Sequence, residues 1–406
     1  MAAKRRRSAS LETSGQSMRV VTRCNVTEFA QIRKCRDGSP VQHRATVALD
    51  RAGAAYSASV TSTHRAAVDL ALPFEAIEAA ATRIRGLVAR TPMFSSRAAA
   101  RVVAERTGII LGSGAAGDGE PRLFLKAEHL QVTGSFKPRG ATNRVLRLTD
   151  DERRRGLVTL SAGNHAQALA LAGSRTGVPV TVVMPAGASR AKAAAAAGYG
   201  ATVVLHGQHV GETFARMEEL RDSQDLVFVH PFDDPDIIAG QGTVGLEIVQ
   251  DLPQVDVLVV GVGGGGLICG VGRALGVLRP TARVVGVEPA TSDALSQGLA
   301  AGRPVTLRPV SIADGLGAPF AGAWTIALAR DHVHSVVRVT ESTIARGVRF
   351  ALERMKQVLE PAGAAALGAV LTGQVPLNDG ETVCVIASGG NFDVSRLPEI
   401  LALAQD

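Results

Sequence analysis

Residues 255–271 read VDVLVVGVGGGGLICGV, and this stretch decides the class of fold. VDVLVV is apolar on both faces, as a strand is when helices cover a parallel sheet on each side. The run then breaks into glycines and resumes as helical text, which makes one strand-loop-helix unit. Four consecutive glycines, Gly263 to Gly266, weaken a fold, because each loses much backbone freedom on folding. Their use is to bring bare N–H groups at a helix N-terminus close to a phosphate. No GK[ST] follows, so the loop is not a P-loop. GVGGGG does fit the loose dinucleotide pattern GxGxxG, and Glu288 stands about 20 residues further on, where a ribose-binding acid belongs.

The same unit recurs on either side. The strand-like runs LFLKA, LVTLS, PVTVVM, ATVVLH, LVFVH, ARVVGVE and TVCVIAS alternate with helical stretches. Among the latter are FEAIEAAATRIRGLV, HAQALALAGSRTG, VGETFARMEELRDSQ, IAGQGTVGLEIVQDL and STIARGVRFALERMKQVL. The alternation predicts an α/β protein with two open, mostly parallel sheets covered by helices, and with ligands at the carboxyl ends of the strands. Residues 150–236 form one compact series, expected as a small domain. Residues 68–149 and 237–406 are expected as a large domain, with the cofactor in the cleft between the two. The glycine-rich stretch GSGAAGDGEPR, residues 112–122, reads as a surface insertion.

Of the 406 residues, 46% are apolar and 20% charged, the balance of a globular protein. No run of some 18 apolar residues occurs, so no membrane partner is expected. The formal charge of +7 suggests nucleic acid until it is located. Residues 1–67 hold twelve Lys or Arg and four Asp or Glu, whereas the remainder holds 32 basic and 33 acidic groups. A near-neutral body with 3% aromatics offers nucleic acid neither an electrostatic footprint nor stacking platforms. The tail opens MAAKRRRSAS, lacks hydrophobic periodicity and is expected to be disordered. Its composition is open to a transit peptide, an anchor on anionic surfaces, or a reading frame begun upstream of Met18. Cys24, Cys35, Cys269 and Cys384 show no CxxC pair and no metal-ligand spacing, so a reduced, cytoplasmic setting is expected.

Three further segments carry chemistry. GSFKPRGA, residues 134–141, sets Lys137 among small and apolar neighbours just after LFLKA. Burial disfavours the ammonium form and leaves an amine that condenses with aldehydes, although a lysine in such text more often snorkels to water. SAGNHAQ, residues 161–167, follows LVTLS. Its turn either offers helix N-terminal N–H groups to a carboxylate or only caps the helix through Ser161 or Asn164. SGGN, residues 388–391, ends the strand VCVIAS, and the Ser388 hydroxyl suits a ring nitrogen or a helix cap. A nicotinamide reading of GVGGGG leaves the first two segments unexplained.

In this order SFKPRGA, SAGNHAQ, GGGGL and SGGN resemble the serine/threonine dehydratase (threonine ammonia-lyase) family of fold-type II pyridoxal-phosphate enzymes. HPFDDP, IAGQGTVGLE and EPAGAAAL support the resemblance, which covers about residues 75–406. It implies a tryptophan synthase β-like fold, pyridoxal 5'-phosphate as cofactor, and Lys137 as Schiff-base lysine and Cα base. It also implies Asn164 on the pyridoxal 3'-oxygen, Ser388 at the ring nitrogen and Phe136 against the ring. Gly263, Gly264, Gly265, Gly266 and Leu267 would take the phosphate, and Ser161, Ala162, Gly163 and His165 the substrate carboxylate. The implied activity is β-elimination of L-threonine or L-serine to a 2-oxoacid and ammonia. The other readings are a dehydratase of a different β-hydroxy amino acid, such as hydroxyaspartate, and a serine racemase.

Departures from relatives sharpen the choice. The related racemases carry a second serine where Ala162 stands, so Ala162 favours elimination over racemisation. The VKDR and TSGNTG motifs typical of the cysteine-synthase branch are missing. Some family members bind a divalent cation near a Glu that Glu288 matches, but Ala294 replaces the usual second acid and Asp293 lies one residue early. The metal question is therefore left open, with Glu288 as the candidate ligand and Asp293 read as an ordinary surface acid. About 18 residues follow Ser388, so an isoleucine-sensing C-terminal domain is not expected. The resemblance further implies a homo-oligomer acting on a small amino acid.

Overall fold

Valine- and leucine-rich strands build two sheets in the computed structural model, which describes residues 70–114 and 118–405. The basic extension, with Cys24 and Cys35, lies outside the described residues. One sheet holds β1 (Met93–Ser96), β2 (Leu123–Lys126), β7 (Val257–Gly261), β8 (Arg283–Pro289), β9 (Ser335–Val339) and β10 (Val383–Ile386), in the order β1-β2-β10-β7-β8-β9. Only β1 is antiparallel to its neighbour. The other holds β3 (Leu157–Leu160), β4 (Val180–Met184), β5 (Thr202–Leu205) and β6 (Val227–Phe228), all parallel, in the order β5-β4-β3-β6. The eight apolar runs are all strands. The sequence signal missed β1 and β9, whose residues MFSS and SVVRV line the two edges of the larger sheet and stay partly exposed.

Side-chain alternation divides each central strand between two cores. Leu123, Leu125, Val257, Val259, Val383 and Val385 pack under the helices Arg97–Thr107, Glu341–Phe350 and Pro361–Leu371. Phe124, Leu258, Val260, Cys384 and Ile386 face the helices Pro235–Asp251, Gly266–Leu278 and Ala323–His332. The smaller sheet repeats the plan. Leu157, Val180 and Val182 meet the helices Pro138–Leu146 and Asn164–Thr176, while Val158 and Val183 meet Val210–Ser223. Each fully buried Val, Leu or Ile contributes about 1.5–3 kcal/mol, so these layers set the strand register. The abundance of Gly and Ala has a packing reason too. A Cβ on Gly240 would lie 2.5 Å from the Cα of Gly140, so the helix that follows Lys137 presses directly on Pro235–Asp251.

One expected helix is broken. STIARGVRFALERMKQVL runs as Glu341–Phe350, widens into a π-helical turn at Ala351–Met355 and stops at Lys356, whose φ of 58° is left-handed. Glu360 then precedes Pro361 and is extended, with ψ 156°, because proline disfavours helix in the residue before it. Among the described residues no helix is long and apolar enough to cross a membrane.

Candidate active site

The tops of β3, β7 and β10 and the loop after β2 converge on one cavity of about 320 Å³. Phe136, Lys137, Ser161, Ala162, Gly163, Asn164, His165, Gly263, Gly264, Gly265, Gly266, Leu267 and Ser388 all line it. Segments up to 250 residues apart in sequence therefore share one wall, as ligand sites at strand ends require.

Lys137 owes its place to the end of β10. Ser135 bridges antiparallel to Gly389, Phe136 N donates to Ser388 O at 3.1 Å, and Gly390 N donates to Gly134 O at 2.9 Å. The loop turns sharply at Thr133 and Gly134, with φ of 69° and 77°, and Pro138 starts the helix that carries Lys137 at its N-cap. Nζ donates to the carbonyl of Pro231 at 2.8 Å and sits 5.1 Å from the centroid of the Phe136 ring. Burial pulls the amine down to about 8. Roughly one amine in four is then neutral at pH 7.5, against about one in a thousand at the ordinary lysine value.

Two residues on, Arg139 anchors this helix and is 1% exposed. Its guanidinium binds both oxygens of Glu128, at 2.8 Å each, and both of Glu247, at 2.7 and 2.9 Å. Lys126 adds a contact to Glu247 at 2.7 Å. Burial opposes the charge of Arg139, and the two carboxylates overcome that opposition and raise its pKa. The bidentate geometry leaves the arginine little freedom.

At the top of β3, Ser161 Oγ accepts from Gly163 N at 3.3 Å, and Gly163 is the N-cap of the helix Asn164–Thr176. Asn164 does not cap. Its Nδ2 donates to Glu360 Oε1 at 2.6 Å and its Oδ1 accepts from Asn391 Nδ2 at 2.9 Å. His165 is buried, and burial together with the charge of Lys137 holds its pKa well below the usual value, so the ring is neutral. Ser388 is also no cap for the last turns, since Asp393 performs that role through Ser395 N at 3.0 Å. The Ser388 hydroxyl lies buried, 3.5 Å from the carbonyl of Ala362.

The glycine loop is held tightly from behind. A Cβ on Gly264 would meet Phe232 ring carbons at 2.3 Å, and one on Gly265, whose φ is 94°, would meet Thr325 Cβ at 2.9 Å. Among the described residues the N–H groups of Gly263, Gly264 and Gly265 find no acceptor. An anion in the cavity would satisfy them at the start of the helix Gly266–Leu278. The donor set thus fits the implied cofactor: an amine for its aldehyde, bare N–H groups for its phosphate and a hydroxyl for its ring nitrogen.

Glu288 is not brought into this site. It lies fully buried one residue before the end of β8, accepts from Leu295 N, Ser296 N and Ser296 Oγ at 2.7, 3.0 and 2.7 Å, and so caps the helix Ala294–Ala301. Burial pushes its carboxyl up to about 7. Asp293 bonds Gln297 and Arg338 instead. Conversely, the sequence reading missed several cavity residues: Glu360, the Pro231 carbonyl, and Lys192 paired with Asp314. Of these only Glu360 left a signal, as an acid directly before an all-apolar Pro-Ala-Gly-Ala helix start.

Residues 111–389 match the family model described as "Pyridoxal-phosphate dependent enzyme". The catabolic L-threonine dehydratase TdcB of Escherichia coli K12 is 42% identical over 281 residues, 68% of this chain and 85% of that protein. A solved structure of the processed threonine deaminase isoform 2 from Solanum lycopersicum superposes with a TM-score of 0.73 at 30% identity, covering 84% of this chain and 89% of the other. Maize serine racemase does so with 0.73 at 33% identity, covering 82% and 97%. The chain belongs to the threonine dehydratase (threonine ammonia-lyase) family of pyridoxal-phosphate dependent, fold-type II enzymes, and pyridoxal 5'-phosphate is its cofactor.

Proposed function

We propose that the chain is an ammonia-lyase that converts L-threonine and L-serine to a 2-oxoacid and ammonia. The observation that carries this reading is the half-buried Lys137 amine, donating to the Pro231 carbonyl at 2.8 Å, in one cavity with a glycine loop whose N–H groups find no acceptor among the described residues. When bound, pyridoxal phosphate draws electrons from the substrate and acidifies its Cα–H bond. Lys137 would hold the cofactor through Nζ, and the same amine is the base that would take the Cα proton. Gly263 to Leu267 would hold the phosphate at a helix N-terminus. Phe136 would support the ring, Asn164 would serve its oxygen, and Ser388 would offer the ring nitrogen a neutral hydroxyl in place of a carboxylate, which would hold full positive charge there. Ser161, Gly163 and the N-terminal N–H groups of Asn164–Thr176 hold the substrate carboxylate, beside a neutral His165.

Ala162 lines the cavity without an ionisable or hydroxyl group, so it cannot return a proton to Cα, and Lys137 is the base of this reading. This favours elimination over the racemase reading. In this scheme residues 150–236 act as the small domain and residues 68–149 with 237–406 as the large one. A cytoplasmic setting agrees with Cys269 and Cys384, which are free and buried. A homo-oligomer is part of the same reading, as the resemblance implies.

The test is ammonia and 2-oxoacid release by the purified protein with L-threonine, L-serine and 3-hydroxyaspartate, and by Lys137→Ala. Release from threonine and serine that vanishes in the variant is expected. Undiminished turnover in Lys137→Ala would sink the assignment, a preference for hydroxyaspartate would move the substrate, and D-serine in the residual substrate would restore the racemase.

A further inference from the structure

Glu360 stands at the N-cap of the helix Pro361–Leu371 yet makes no bond to that helix with its side chain. Its carboxyl is 2% exposed and reaches across the cavity to Asn164 Nδ2 at 2.6 Å. From the loop after β10, Asn391 Nδ2 donates both to Asn164 Oδ1, at 2.9 Å, and to the carbonyl of Thr133. The two contacts are complementary: one takes a proton of the amide and the other gives one to its oxygen. They fix which way the amide faces and leave Asn164 one uncommitted N–H. The Cα of Gly389 packs so closely on Glu360 that a Cβ there would meet Oε1 at 2.1 Å, so the chain backs the carboxyl on that side. A helix-capping or purely packing role requires neither the acceptor on one side nor the donor on the other.

We propose that Glu360 and Asn391 are positioning residues that lock the amide of Asn164 with its remaining N–H turned to the ring oxygen of the cofactor. This rests on the assignment of Asn164 to that oxygen in the proposed function. A donated hydrogen bond favours the ionised form of the ring oxygen, so a locked amide keeps that oxygen deprotonated to lower pH. Glu360 needs no charge for this task. Burial pushes its carboxyl up to about 8, so near neutral pH it is mostly an uncharged acid that still accepts from Asn164. The other ionisable groups lining this cavity are Lys137 and His165, and Lys192 and Asp314, which pair with each other.

The experiment is a pH titration of the visible absorption band of the cofactor-loaded protein without substrate, for wild type, Glu360→Gln, Glu360→Ala and Asn391→Ala. Loss of the lock in Glu360→Ala and Asn391→Ala is expected to move the titration midpoint up and to lower kcat roughly tenfold, with KM within about twofold. Glu360→Gln keeps an acceptor of the same shape and should restore the wild-type midpoint. Glu360→Ala and Asn391→Ala midpoints equal to wild type would overturn the proposal, as would a Gln variant that behaves like Ala. Should Glu360→Ala not fold, Glu360→Gln and Asn391→Ala decide. A wild-type protein that takes up no cofactor would instead remove the functional reading beneath it.

Discussion

Gly264 offers the sharpest test of how the cofactor loop is held. In Gly264→Ala the new Cβ would lie 2.3–2.4 Å from three ring carbons of Phe232. Ordinary contact starts near 3.4 Å, so loop or ring must retreat by about 1 Å. The ring is 7% exposed and wedged edge-on against His230, 4.5 Å between centroids, and Phe320, 5.8 Å. It cannot rotate out, so the loop moves. Overpacking of this kind costs about 1–3 kcal/mol. Because the loop is also the phosphate cradle, the same displacement should weaken cofactor binding roughly 5- to 150-fold, at 1.4 kcal/mol per decade. The assay is titration of the apoprotein with pyridoxal phosphate, followed by absorbance, beside urea unfolding of the apoprotein. Phe232→Leu trims the ring, and the double variant should recover part of the loss, a coupling that the four-variant cycle measures. Wild-type affinity and stability in Gly264→Ala would refute the reasoning, because they would mean that the Phe232 ring yields freely.

Arg139→Met should destabilise the apoprotein by about 3–5 kcal/mol, since it leaves Glu128 buried without its partner; an unchanged urea midpoint would contradict this. Lys137 has its amine pulled down to about 8, and only the neutral amine attacks an aldehyde, so cofactor uptake by the apoprotein should speed up as pH rises toward 8 and level off above it. Stopped-flow absorbance between pH 6 and 9.5 measures this, and a rate still climbing steeply at 9.5 would point to an ordinary lysine.

Much of this site could be read from single segments, because a parallel sheet gathers strand tops. Lys137, Ser161, Asn164, the glycine loop and Ser388 each follow an apolar run, and each lies on the cavity wall. What the sequence withheld is how distant segments meet. The Pro231 carbonyl that receives Lys137 comes from the chain after β6, Glu360 from the start of the helix Pro361–Leu371 and Asn391 from the loop after β10, and no local pattern encodes that these segments meet. The edge strands β1 and β9 were hidden for the opposite reason: half-exposed strands carry serine and arginine and lack the apolar signature. Glu288 shows the limit of spacing arguments. Its distance from the glycine loop suited a ribose or metal ligand, yet its oxygens serve the backbone of Leu295 and Ser296.

The central place of β10 also orders events during synthesis. β2 pairs in register with a strand that emerges about 260 residues later, whereas β3 to β6 pair only among themselves within residues 157–228. The smaller sheet can close while the ribosome is still translating, but β2 and β7 expose matching edges until β10 is released. Such non-local closure is slow, and it leaves an interval in which nascent chains can pair with one another. The loop bearing Lys137 is fastened to Ser388, Gly389 and Gly390, so the reactive amine is set in place only after β10 has been made. The placement of Lys137 therefore depends on the strand that completes the larger sheet as much as on its own loop.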